Sequence, residues 1–461
     1  MNTTSNEMPT YQQIPGGQKS LTGEQKQAIG LLSIGTFLEY FDLMLYVHMA
    51  VLLNELFFPK TDPHTTALLS AVAFCSTFVF RPIGALLFSW LGDQVGRKAT
   101  VIITTFMMSV SCVIMANLPT YAQIGVAAAW LVTICRIIQG ISSMGEIMGA
   151  QIYLLEATKP PIQYPVVASV VTFCNLGGTF ALAIAALVTS YGLNWRIAFW
   201  LGAIIALTGV VARTSLRESP EFANAKRQIK KALDPVFKKS ELNTKTLEDT
   251  AIWQEKMSKK TALSYFLMEC VWPVSFYFTY SHCANILKTS FGYSADQVIH
   301  QNFIVSIVNL VSYIILTYLC YKIYPLIILK IRLIVFWFFI AACPYLLNHA
   351  TSPFDILVIQ SFFIIFRPDA FPAIPILIKH FPIFKRFTYA SWLFALSRAL
   401  MHVVTSFGLV YLVEYFGNWG LWFIMIPTSI GFLYGLSHFG KLESDVESYH
   451  QKLPNQLEKV A

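Results

Sequence analysis

Apolar stretches of about 20 residues, the length of helix that crosses a bilayer, recur from Gln27 to about Gly440 and leave almost nothing between them that could fold as a soluble domain. With helix ends free to slip by a few residues, they resolve into twelve spans near 29–56, 67–90, 99–117, 125–153, 165–190, 196–213, 262–287, 297–320, 325–347, 354–378, 387–415 and 420–438. An even number puts both termini on one side. Charged residues make up 13% of the chain, where a soluble domain carries about 25%. The expected fold is therefore all-α and integral to a membrane.

Basic residues sort by loop. With the N-terminus placed in the cytoplasm, inward-facing segments hold 26 of the 33 lysines and arginines, with Lys330 and Arg332 assigned to the turn between spans eight and nine. Outward segments hold only Lys60, Arg196 and Lys288, and Arg81, Arg136, Arg367 and Arg398 lie inside spans. Cytoplasmic segments of membrane proteins carry the positive excess, so both termini are expected there. The net charge of +8 then reflects topology, and no nucleic-acid partner is implied. The expected organisation is a tail (1–28), a six-helix bundle (29–213), a charged linker (214–261), a second bundle (262–438) and a tail (439–461). Residues 1–28 are polar, so the first span itself, not a cleaved signal, is expected to drive insertion.

The eight cysteines lie in or beside apolar segments with no Cys-x-x-Cys spacing, and read as small buried hydrophobes with neither disulfide nor metal. No phosphate loop, His-Glu-x-x-His or nucleophile elbow occurs. An ATP-driven pump or membrane hydrolase has no support, and no cofactor is expected.

Charges inside spans carry the functional signal, because each costs about 2.5–3.5 kcal/mol on insertion scales and persists facing a cavity or a partner. Glu39 and Asp42 are three residues apart near the middle of the first span, on one helix face. Burial and like charge both favour the protonated carboxyl, so either could load a proton, as could Glu146 on the fourth span. Arg81 and Arg136 are candidates for a substrate carboxylate, which a guanidinium takes by a two-bond fork. Tyr40, beside Glu39, is the aromatic placed best to face a cavity and hold a quaternary ammonium. Mutually satisfied ion pairs between spans one, two and four would account for the same charges. In the second half the polar residues are Glu269, His282, Arg367, Asp369, Arg398 and His402, and Arg367-Pro368-Asp369 interrupts the tenth span, as broken helices beside carrier sites do.

Several strings carry a family likeness. Between spans two and three the chain reads Gly92-Asp93-Gln94-Val95-Gly96-Arg97-Lys98. This resembles the major facilitator signature Gly-x-x-x-Asp-x-x-Gly-Arg-Lys, with Ser89 in place of its first glycine. Asp93, Gly96, Arg97 and Lys98 would form a gating turn whose charges rearrange as the halves move. The strings Phe37-Leu38-Glu39-Tyr40-Phe41-Asp42, Phe80-Arg81-Pro82-Ile83-Gly84, Arg136-Ile137-Ile138-Gln139-Gly140 and Leu216-Arg217-Glu218-Ser219-Pro220-Glu221-Phe222 are similar to the metabolite:proton symporters of that superfamily. Gln139, in the same string as Arg136, joins the substrate-binding candidates. Proline/betaine carriers look nearest, over residues 35–222. Beyond residue 260 the likeness weakens, and the turn Tyr321-Lys322-Ile323-Tyr324-Pro325 lacks the acid the family places there.

The resemblance implies twelve helices in two six-helix bundles, the major facilitator fold, in a bacterial inner membrane. It implies proton-coupled import of a zwitterionic osmolyte such as proline or betaine by alternating access. The partners would be a small-molecule substrate, a proton and the lipid bilayer, and a monomer would suffice. Two alternatives stay open: a di- or tricarboxylate carrier of the same family, and a transporter-like metabolite sensor.

Overall fold

The computed structural model describes residues 18–59, 72, 75–94, 97–144, 147–213, 257–382 and 385–457. Among these the regular structure is helical, apart from an isolated bridge between Gln18 and Pro161. The first half contains α1 (Gly23–Phe57), α2 (Arg81–Gln94), α3 (Arg97–Asn117), α4 (Val126–Ser142), α5 (Ile147–Ala157), α6 (Gln163–Ser190) and α7 (Arg196–Arg213). The second contains α8 (Lys259–Glu269), α9 (Val271–Tyr277), α10 (Cys283–Phe291), α11 (Ala295–Lys322), α12 (Pro325–Asn348), α13 (Pro353–Phe366), α14 (Ile374–Lys379), α15 (Arg386–Phe416) and α16 (Trp422–Leu457). Most of the linker expected at 214–261 lies outside the described residues.

Seven helical stretches among the described residues are long and apolar enough to cross a membrane, one of them covering both α15 and the apolar part of α16. Shorter apolar helices at Cys75–Leu91, Ile102–Asn117 and Arg196–Thr208 supply spans two, three and six. The seventh span is α8, α9 and α10, joined through a π turn at Phe278–His282. Its lower apolarity reflects the polar residues it turns inward, among them Glu269, Ser275, Thr279 and His282, all buried. Two basic residues expected in the turn before the ninth span belong to the helix instead. Lys330 and Arg332 lie within α12, and Arg332 is buried, donating from Nη2 to the Ile365 carbonyl at 3.1 Å.

Local chemistry sets the ends. Ser294 caps α11 in a box with Gln297, Ser352 caps α13 with Asp355, and Gly292 closes α10 in the left-handed region at φ 67°. These side chains satisfy backbone donors that a helix start leaves unpaired. In the tenth span Pro368, Pro372 and Pro375 remove donors in succession. There α13 ends at Phe366, and helix resumes only through a 3₁₀ turn at Phe371–Ala373.

Packing is inside-out relative to a soluble protein. Ile83, Leu86, Trp90, Trp130, Ile204, Phe338 and Phe354 are exposed, while Glu39, Asp42, Arg81, Arg136, Arg367 and Arg398 are buried. So extensive an apolar surface is stable only where lipid covers it. Glycines bring helices of the first half into backbone contact: a Cβ at Gly177 of α6 would strike the Phe37 carbonyl of α1, and one at Gly140 of α4 the Thr77 carbonyl. Small residues permit such approach between membrane helices. The halves meet along two seams, α6 against α11 and α2 against α15.

Candidate functional site: a cavity between the halves

Where the two halves face each other, a cavity of about 40 Å³ is lined by Tyr40, Met44 and His48 of α1 and Asn175, Gly178 and Thr179 of α6. The second half contributes Trp272, Phe276, Tyr280, Ser306, Asn309 and Arg367. At about 10–15 Å³ for each water-sized group, it is a contracted space. Contacts between the halves lie on either side of it. Toward the end that carries the termini, Thr172 and Thr317 hydroxyls are 2.8 Å apart, and Arg386 Nη1 lies 3.7 Å from Glu156 Oε1. Beside the cavity Asn309 Nδ2 donates to Asn175 Oδ1 at 2.7 Å. Toward the other end Ser190 Oγ is 2.6 Å from His300 Nε2 and donates to Asp296 Oδ1 at 3.3 Å. Contacts between the halves thus flank the cavity on both sides along this seam, as expected where two bundles meet around a central site.

The sequence-derived candidates are distributed unevenly around this cavity. Tyr40 lines it. Arg81 lies within electrostatic reach of Tyr40, Glu39 and Arg398, with its guanidinium carbon 4.6 Å from the Phe78 ring centre. This gathers α1, α2 and α15 at the second seam, where Phe78 also stacks on His402 at 3.6 Å. Arg136 points elsewhere, over the Tyr46 ring at 4.1 Å and toward the Leu43 carbonyl at 3.5 Å. Asp42 sits where a Cβ on Gly202 of α7 would meet its Oδ1, and interacts with Cys112 of α3. Gln139 reaches the same Cys112 sulfur at 3.9 Å. Asp42, Arg136 and Gln139 are thus held within the first half. Gly96 and Glu146 lie outside the described residues. Asp93 falls near the end of α2, and Arg97 and Lys98 begin α3.

The second half holds two buried charge networks. Arg398 of α15 pairs with Glu269 of α8, Nη2 to Oε2 at 2.9 Å, donates from Nη1 to the Glu269 carbonyl at 2.6 Å, and lies over Trp272 and Phe394. At the break in the tenth span, Arg367 Nη2 donates to the Tyr313 hydroxyl at 2.9 Å, and that hydroxyl donates to Asp369 Oδ2. The Phe371 amide donates to Asp369 Oδ1 at 3.1 Å.

Sequence reasoning passed over the polar lining of α6 and α11. The signal was available: Asn302, Ser306, Asn309 and Tyr313 recur at spacings of four, three and four along an otherwise apolar helix, which places them on one face. Asn175 and Thr179 do the same on α6.

Twelve helical spans in two bundles around a cavity between them define a multi-pass membrane transporter of the major facilitator type. Residues 29–436 match the sugar (and other) transporter family, and the chain belongs to it. It is similar to the inner membrane metabolite transport protein YhjE of Escherichia coli K12, 36% identical over 217 residues, 45% of this chain and 49% of that protein. It is also similar to the proline/betaine transporter of Salmonella typhimurium, 32% identical over 209 residues, 43% of this chain and 41% of that one. The chain thus spans about half the length of the curated relatives it matches. In fold it matches the major facilitator proton:xylose symporter XylE bound to 6-bromo-6-deoxy-D-glucose. The TM-score is 0.70 at 17% identity, covering 89% of this chain and 94% of that one.

Proposed function

We propose that this transporter is a proton-coupled symporter that imports a small zwitterionic metabolite of the proline or betaine type across a bacterial inner membrane, with both termini in the cytoplasm. The observation that carries the reading is the wall of the inter-half cavity. Tyr40, Trp272, Phe276 and Tyr280 offer aromatic faces, with Trp272 stacked on Phe276 at 5.1 Å between centroids. Aromatic faces attract quaternary and secondary ammonium groups, while Asn175 and Asn309 supply polar contacts beside them. The similarity to proline/betaine transporters supports the same solute class. The rocking units are residues 29–213 and 262–438, with the turn Asp93, Gly96, Arg97 and Lys98 as a gate.

Coupling rests on the carboxylates of the first half. Glu39 shares a polar cluster with Arg81 and Tyr40 at the seam between α2 and α15, where a change in its charge is felt by both halves. Asp42 and Glu146 remain candidates for the same role. The test is uptake into proteoliposomes of proline, glycine betaine, α-ketoglutarate and citrate, with and without an inward proton gradient. Gradient-driven uptake of a zwitterion is the expected result. Uptake indifferent to the gradient would replace symport with facilitated diffusion, uptake of an anion would move the protein to the carboxylate carriers, and binding without flux would make it a sensor.

A further inference from the structure

We propose that Arg367 takes the carboxylate of the transported solute, with Tyr313 and Asp369 holding its guanidinium in place. The proposal rests on the reading of the inter-half cavity as the solute site.

Position comes first. The prolines that break the tenth span leave Arg367 at the end of α13, and its side chain is 2% exposed yet lines the cavity. It is the arginine among the cavity's described lining residues. The other buried arginines do not line the cavity: Arg398 pairs with Glu269, Arg136 lies over Tyr46, Arg332 is on the Ile365 carbonyl, and Arg386 is beside Glu156. Arg81 lies at the second seam beside Phe78.

Bonding capacity comes second. Arg367 spends Nη2 on the Tyr313 hydroxyl at 2.9 Å, and Nε has no hydrogen-bond partner among the described residues. Asp369 is the nearby carboxylate, but its Oδ2 accepts from Tyr313 and stands 3.9 Å from Arg367 Nη2, while Oδ1 accepts from the Phe371 amide. Asp369 therefore balances the charge without filling the guanidinium fork. A buried N–H donor without a partner is costly, and a carboxylate accepts readily from such a fork. Asn309 Oδ1, also on the cavity, lacks a partner among the described residues and can accept from an ammonium N–H. With Arg367 and the aromatic faces of Trp272 and Tyr280 on one cavity, a carboxylate and a cationic nitrogen of a small solute both find partners there.

The test is isothermal titration of the purified full chain with glycine betaine, with choline as the analogue lacking the carboxylate, and with α-ketoglutarate. Arg367→Gln should weaken glycine betaine by at least about tenfold, the scale of a lost charge-assisted fork, and leave choline nearly unchanged. Tyr313→Phe should give a smaller loss. Because Arg367→Gln leaves Asp369 with Arg332 as its remaining neighbouring cation, the double variant Arg367→Gln/Asp369→Asn removes the charge pair together; size-exclusion chromatography checks that it folds, and it should still fail to bind. Glycine betaine binding at wild-type strength in the double variant overturns the proposal, as does a loss that follows Arg81→Gln or Arg136→Gln but not Arg367→Gln. If the wild type takes α-ketoglutarate in place of betaine and Arg367→Gln loses it, the zwitterion reading falls and the role of Arg367 stands. If the wild type binds neither, both fall.

Discussion

The two halves share a topology but are held together differently. In the first, helices touch backbone to backbone, so that Gly84, Gly140 and Gly177 leave no room for a Cβ against Ile141, Thr77 and Phe37. In the second, close approach occurs at Gly435 against Ser264, but charge also joins the helices: buried in Glu269 with Arg398 and in Tyr313 with Arg367 and Asp369, and partly exposed in Glu443 with Lys379 and His380. The first half is the more tightly built scaffold. The charged side chain exposed to the cavity comes from the second, where a broken helix can turn an arginine inward. Family strings therefore concentrate in the half that sets the architecture, and the residue that would discriminate solutes sits in the half where those strings fade.

The glycine contacts offer the harshest way to break this comparison. Gly140→Ala places a methyl group inside the Thr77 carbonyl, and such overpacking against backbone should cost more than about 4 kcal/mol. We expect no monodisperse protein on size-exclusion chromatography. Gly408→Ala in the second half, whose Cβ would rest 3.4 Å from Ile424 Cδ1, should cost about 1 kcal/mol or less. Next comes Glu269→Ala, which leaves Arg398 buried without its counter-charge and should destabilise by about 3–5 kcal/mol, read by thermal unfolding in detergent. An unchanged melting temperature would remove charge pairing from the account of the second half.

Glu443→Ala should cost less, about 1–2 kcal/mol. It forfeits bonds from Lys379 Nζ and His380 Nε2 at 2.7 Å and from the Tyr324 hydroxyl at 2.9 Å, but at a helix end where water can substitute. The smallest effect belongs to the outer rim. Ser190→Ala removes contacts to the half-exposed His300 and Asp296 and should change stability by less than about 0.5 kcal/mol.

The architecture was legible because membrane spans obey a simple length and charge rule, and among the described residues each of the twelve segments is largely helical, the tenth with a break. The break at Arg367 was legible for a local reason, since Pro368 cannot donate and constrains the residue before it. What escaped were facing directions. Asp42 and Glu39 lie on one side of α1 by spacing, yet Asp42 turns to α7 and α3 while Glu39 joins the seam with Arg81. From Leu31 to Met49 α1 is buried nearly all round, which gives periodicity no polar face to report. Arg332 escaped because its charge alone assigned it to the turn, although it lies within the span 325–347, as the eighth residue of α12, which begins at Pro325 and buries it.

The central claim is that the halves must part along the seam between α6 and α11 for solute to cross. Thr172 and Thr317 face each other there with hydroxyls 2.8 Å apart, so the pair Thr172→Cys/Thr317→Cys can be oxidised to tie the halves together. Uptake of glycine betaine into proteoliposomes should stop on oxidation and return on reduction with dithiothreitol. Uptake at an unchanged rate through the cross-linked protein would contradict alternating access at this seam.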